Sequence, residues 1–159
     1  GVPQRFYGAN VCFDVCYPEK DQARRLVGLL TRAGYNSVRL LHFDRRLTWD
    51  SPDATDLDPV LTDRLDYFLS RCYEAGLYVT TDFFVGRLVP RRAVGLDGDG
   101  RVGQQEFKGM IYTNAALRAN FKTYIGNFLG HVNAYTGQIV LAGVNVRLYF
   151  AIQFVVRNS

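Results

Sequence analysis

The side chains in this sequence that could do chemistry are few, and they sit at the ends of short apolar runs. Arg39, His42 and Asp44 lie close together around one such run, Asp82 and Arg87 follow a second, and Asn10, with Asp14 just beyond, ends a third. Polar groups beside aromatic ones, as in His42-Phe43-Asp44 and Asp82-Phe83-Phe84, suit a sugar site. Aromatic faces stack on the apolar faces of pyranose rings while the polar groups bond the hydroxyls. Trp49 and Tyr17 are further candidate platforms for a ring. Arg39 and Asp82 have a structural reading as well, as a buried ion pair, because a buried charge needs a partner. His42 carries the same double reading. His131 falls at the end of a helical stretch, where a capping or dipole role accounts for it.

Other chemistries find little support. The sequence holds three glutamates: Glu74 reads as the C-terminal end of a helix, and Glu19 and Glu106 read as loop residues. Nucleophile-elbow and zincin motifs are absent. Cys12, Cys16 and Cys72 match no metal-knuckle spacing, and free, buried or partly buried thiols are expected. Asp97-Gly-Asp99-Gly invites calcium, but Val102 stands where an EF-hand needs glycine and Lys108 where it needs glutamate. A plain turn is expected there. Asn10-Val-Cys-Phe-Asp14 offers no G-x-G-x-x-G, so no dinucleotide is expected. The expectation is therefore no metal and no cofactor.

The formal charge of +4 is small. The one short basic cluster, Arg87, Arg91 and Arg92, reads as a solvated loop, so nucleic-acid binding is not expected. The longest apolar stretch, residues 139–156, is broken by Asn145, Arg147 and Gln153, so no membrane span is expected. No leader peptide is visible, and the chain starts at Gly1. With 48% hydrophobic and 21% charged residues in 159, the chain has material for one ordinary globular domain.

The elements that must position these residues repeat one grammar. Residues 7–11 read as a strand. Residues 21–33 carry apolar side chains at helical spacing, with Gly34 placed to stop the helix. Residues 37–41 form a β-type run. Residues 57–75 then repeat the helix, Gly76 the stop, and residues 77–84 the strand. "Arg-Ala-Gly-Tyr-Asn-Ser-Val-Arg39" and "Glu-Ala-Gly-Leu-Tyr-Val-Thr-Thr81" are two copies of one helix-to-strand junction, the kind that builds parallel sheets. A long loop over residues 86–112 follows, then a helix over 114–132 and a candidate fourth strand over 149–156. The order β-α-β-α-β-loop-α-β fits an open doubly wound sheet or the first half of a barrel; in either, ligands meet the C-terminal ends of the strands.

Four segments, "Arg5-Phe-Tyr-Gly-Ala-Asn10", "Ala33-Gly-Tyr-Asn-Ser-Val-Arg39", "Gly76-Leu-Tyr-Val-Thr-Thr-Asp82" and "His131-Val-Asn-Ala-Tyr-Thr-Gly137", resemble the N-terminal half of clan-A, family-5-like glycoside hydrolases, relatives of cellulases and mannanases. The resemblance covers residues 5–137; residues 138–159 form an atypical end. It implies an α/β fold that is a partial (β/α)8 TIM barrel of roughly four βα units, in a secreted or periplasmic protein. It implies a retaining hydrolase of β-linked oligo- or polysaccharide, with Arg39 matching the arginine that braces the nucleophile. Asn10, His42, Asp82 and Trp49 would bind substrate or support the site. Retention needs two carboxyl groups about 5–5.5 Å apart. The family's acid/base follows an asparagine at the end of strand four, where this sequence reads Val156-Arg157. The position near Arg157 is not glutamate, and the later strands that would bring the nucleophile are not in this sequence. A truncated or frameshifted gene product, or a chosen boundary, would each give this ending. The expectations are no hydrolysis by this chain alone, or a non-catalytic sugar binder, and self-association of the open half-barrel.

Overall fold

A computed structural model of the chain describes residues 5–83 and 86–139. Its centre is a parallel sheet of three strands in the order β1 (Gly8–Cys12), β2 (Ser37–Leu41) and β3 (Tyr78–Thr81). Each crossover is a helix ended by glycine. α1 (Lys20–Arg32) starts on a capping box between Glu19 and Gln22, and α3 (Pro59–Glu74) on Asp58, whose Oδ1 accepts the Leu61 N–H at 2.8 Å. Gly34 and Gly76, both at positive φ, turn the chain back into the next strand. Between β2 and α3 lies the short helix α2 (Asp44–Leu47).

Alternation along the strands separates two faces. Val11, Val38, Leu40 and Val79 are buried toward the helices, where they meet Val27 and Leu30 of α1, Leu65 and Phe68 of α3, and Tyr124 and Phe128 of α5 (Ala115–Gly130). Burial of this kind contributes about 1.5–3 kcal/mol for each large apolar side chain, set against the entropy of ordering it.

The segment expected as a long loop is more structured than its composition indicates. It holds an antiparallel pair, β4 (Val89–Pro90) and β5 (Arg101–Val102), a 3-10 turn over Arg91–Val94, and α4 (Gln104–Met110). These close over a second apolar cluster of Val89, Val94, Val102, Phe107, Ile111 and Leu117. The β-hairpin strands are only two residues long, too short for a period-2 pattern to show in the sequence. Gly98 and Gly100 take positive φ in the Asp97-to-Gly100 turn, as the turn chemistry requires.

Several expectations need correcting. Glu19 is the loop residue expected, capping α1, but Glu106 lies in the first turn of α4 and is not a loop residue. The basic cluster is no solvated loop: Arg87 is buried, and Arg91 bonds the Asp97 carbonyl and Glu106. His131 does end α5, yet its Nε2 sits 2.7 Å from the buried Asp66 carboxylate on α3, which pins the two helices together. The three cysteines are free, and burial pushes the Cys16 and Cys72 thiols up to about 12. The candidate fourth strand and Arg157 lie outside the described residues.

Candidate functional site

On the sheet face turned away from the helices, the parallel register sets Asn10, Arg39 and Thr80 side by side. Asp82 lies two residues beyond Thr80, on the same side by the period of the strand. Arg39 reaches across to it: Nε donates to Oδ1 at 3.3 Å and Nη2 to Oδ2 at 2.6 Å. The arginine side chain is 39% exposed and the aspartate 4%. The expected Arg39–Asp82 pair is thus present, with its arginine edge open to solvent. Asn10 is exposed one strand away.

His42 and Trp49 lie elsewhere, on the loop after β2. His42 takes positive φ and its ring stacks on Phe13 at 4.8 Å, 11° from parallel. With Trp49, Arg45 and the start of α3 these rings line a groove of about 670 Å³ between the loops after β1 and β2. The groove carries Arg45, Arg46 and Arg64 against Asp14, Asp50 and Asp58, so its charges nearly balance. Trp49 is 41% exposed, and two guanidinium groups stand over its ring, Arg101 at 4.2 Å and Arg45 at 5.5 Å. Tyr17 is no open platform: it is buried, and its hydroxyl donates to the Phe43 carbonyl. The five candidate residues therefore divide into two places, Asn10, Arg39 and Asp82 on the sheet face and His42 and Trp49 at the groove.

Beside the His42 backbone sits a buried polar cluster that sequence reasoning missed. Asp44 is fully buried, and its Oδ1 accepts the Gly86 N–H at 3.1 Å. Arg87, also buried, donates from Nε and Nη2 to the Ala54 carbonyl at 2.9 and 2.5 Å, and from Nη2 to Asn120. Its guanidinium lies 4.7 Å from the centre of the Tyr124 ring. Burial pushes the Asp44 carboxyl up to about 7 and draws Arg87 down to about 10. Asp44 and Arg87 stand out in the sequence as strand-end polar residues; nothing in their spacing says that they are enclosed. Among the described residues no group of three or more His, Cys, Asp or Glu is placed to hold a metal ion.

The fold defines a class: an α/β protein with a parallel sheet and crossing helices, similar to part of the fold of family-5 barrel enzymes. The solved structures it matches include two endo-1,4-β-mannanases. The one from Rhizomucor miehei superimposes with a TM-score of 0.68 at 18% identity, over 92% of this chain and 43% of that one. The one from Thermotoga petrophila gives 0.65 at 17%, over 89% and 33%. A family-5 mannosidase from Rhizomucor miehei gives 0.66 at 16%, over 92% and 43%. This chain thus spans a third to less than half the length of these enzymes. Neither a protein-family model nor any curated protein matches the sequence.

Proposed function

We propose that this chain is roughly the first four βα units of a family-5-like retaining glycoside hydrolase for β-linked polysaccharide, and that it contacts sugar without hydrolysing it. The Arg39–Asp82 pair carries the reading: a bidentate pair from the middle of β2 to the end of β3, with its arginine edge open on a polar sheet face. The likeness to mannanase structures makes β-1,4-mannan the first substrate class to test. Asn10 and Arg39 would bond hydroxyls from the sheet face, while His42 and Trp49 would meet the chain of sugars at the groove. The three glutamates stand at the start of α1, the end of α3 and the start of α4, and none is on the sheet face. Retaining hydrolysis needs two facing carboxyl groups, so the chain alone should release no reducing sugar from β-mannan or β-glucan. Turnover by the purified 159-residue chain would overturn that part. Calorimetry with manno- and cello-oligosaccharides tests the binding part: heat at millimolar ligand supports it, and its absence sinks it.

A second reading concerns a partner. Among the described residues β1 borders only β2, so its outer edge is unpaired there. Free edges favour pairing with another chain, so a second copy is the proposed partner. A clean monomer in sedimentation at high concentration would count against it.

A further inference from the structure

Asp44 opens α2, yet its carboxylate serves the segment after β3. Besides the Gly86 amide, the Arg87 amide also stabilises its charge. The approach is close: a Cβ on Gly86 would lie 2.8 Å from Asp44 Oδ1 and 3.2 Å from the His42 Cα. Any side chain at position 86 would push the two segments apart. The polar contacts are also incomplete. Among the described residues, Asp44 Oδ2, Arg87 Nη1 and Tyr124 Oη are all buried without a hydrogen-bond partner. Arg87 gives its other donors to Ala54 and Asn120 instead of closing on the carboxylate. A buried carboxylate with one bare oxygen is costly when ionised and far less so when protonated.

We propose that Asp44 is a protonation-controlled latch: its neutral carboxyl seats Gly86 and Arg87 against the loop after β2, and its ionisation loosens that seat. The groups facing Asp44 are Arg87 from the segment after β3, Tyr124 from α5, and Tyr17 and Cys16 from the segment after β1. Arg87 sits at about 10 and Cys16 at about 12, and burial holds both tyrosines well above their ordinary range. Asp44, at about 7 against an ordinary 3.8, is the one of these that changes charge near neutral pH.

The sign follows from proton linkage. Seated, the carboxyl gives up its proton at about 7; opened to water, at 3.8. Between those values the seated form binds more protons, so rising pH favours opening, by up to about tenfold per pH unit. Above about 7 the dependence levels off. Global stability takes the same direction: Asp44's contribution is complete below 3.8 and lost as pH rises through about 7.

The test is hydrogen exchange of the Gly86 and Arg87 amides by NMR, as protection factors between about pH 5 and 8. The parent chain is compared with Asp44→Asn and with His42→Asn, because the His42 backbone abuts Gly86. The expected result is more than tenfold loss of protection toward neutral pH in the parent, a flat profile in Asp44→Asn, and the parent's profile in His42→Asn. A flat parent profile, a profile that survives Asp44→Asn, or one that disappears in His42→Asn would each overturn the latch. Should Asp44→Asn fail to fold, the carboxyl 13C shift of Asp44 in the parent decides: a midpoint near 7 supports the latch and one near 4 refutes it. Neither readout involves sugar, so failure here and failure of the carbohydrate reading are separate results.

Discussion

Two carboxylate–guanidinium neighbourhoods join the end of β2 to the end of β3, and they are built in opposite senses. In the first, the arginine is on β2 and the aspartate beyond β3: Arg39 and Asp82 close directly on each other with a bidentate bond. In the second, the aspartate follows β2 and the arginine follows β3. Among the described residues, Asp44 and Arg87 each keep a polar atom unpartnered and direct the rest to amides, carbonyls and Asn120. The first faces solvent through its arginine; the second is enclosed. Solvation, not residue type, makes the difference. A pair whose arginine is open to water is available to a ligand and contributes less to stability than a fully enclosed one. An enclosed, incomplete one holds the fold together and responds to pH.

The sharpest way to break this comparison is to remove each arginine in turn. Arg87→Met should cost about 3 kcal/mol, because it strands the Ala54 carbonyl, the Asn120 amide oxygen and Asp44 inside the protein. The loss should grow above about pH 7, where Asp44 is ionised without its countercharge. Urea unfolding at two pH values measures both. Gly86→Ala should follow at about 1–3 kcal/mol, since the new Cβ would stand 2.8 Å from Asp44 Oδ1. Arg39→Met should cost less, about 1–2 kcal/mol: it leaves the nearly buried Asp82 carboxylate without its partner, but on a face that water reaches through the vacated arginine site. It should nonetheless weaken oligosaccharide binding about tenfold in calorimetry, by the loss of a charged hydrogen bond. If Arg39→Met were the more destabilising of the two arginine variants, the contrast between the pairs would fall.

How much of this was legible in the sequence follows the same line. The α/β order, the glycine stops at Gly34 and Gly76, and strand β2 follow from periodicity, because each element is long enough to complete its pattern. The Arg39–Asp82 pair was legible from an arginine within one strand, an aspartate ending the next, and the need to pair a buried charge. The hairpin β4–β5 was not, with two residues per strand. Nor was the burial of Arg87. It depends on Ala54, at positive φ, turning its carbonyl inward, and on Asn120 of α5, both 33 residues away along the chain. Nothing local in Gly86-Arg87-Leu88 carries that information. Tyr17 misled for the same reason: its composition fits a sugar platform, while its enclosure is a tertiary fact.

The smallest expected effect concerns the groove, and the molecule supplies its own probe, since Trp49 is its sole tryptophan. Arg101 lies 4.2 Å over the indole and its Nη2 donates to the Trp49 carbonyl at 2.7 Å, so the β4–β5 hairpin positions the ring as well as shielding it. Arg101→Ala should cost about 1 kcal/mol, from an exposed cation–π contact together with solvent-screened hydrogen bonds to the Trp49 and Leu88 carbonyls. The emission should shift to the red as water reaches the indole. Manno-oligosaccharide would then meet a ring with one guanidinium removed. If Trp49 is a sugar platform, Arg101→Ala should change how far ligand perturbs the emission while leaving the Arg39 contribution to affinity intact. If ligand leaves the emission unmoved in both forms, the groove is not where sugar binds, and the open Arg39–Asp82 face is left to account for any binding alone.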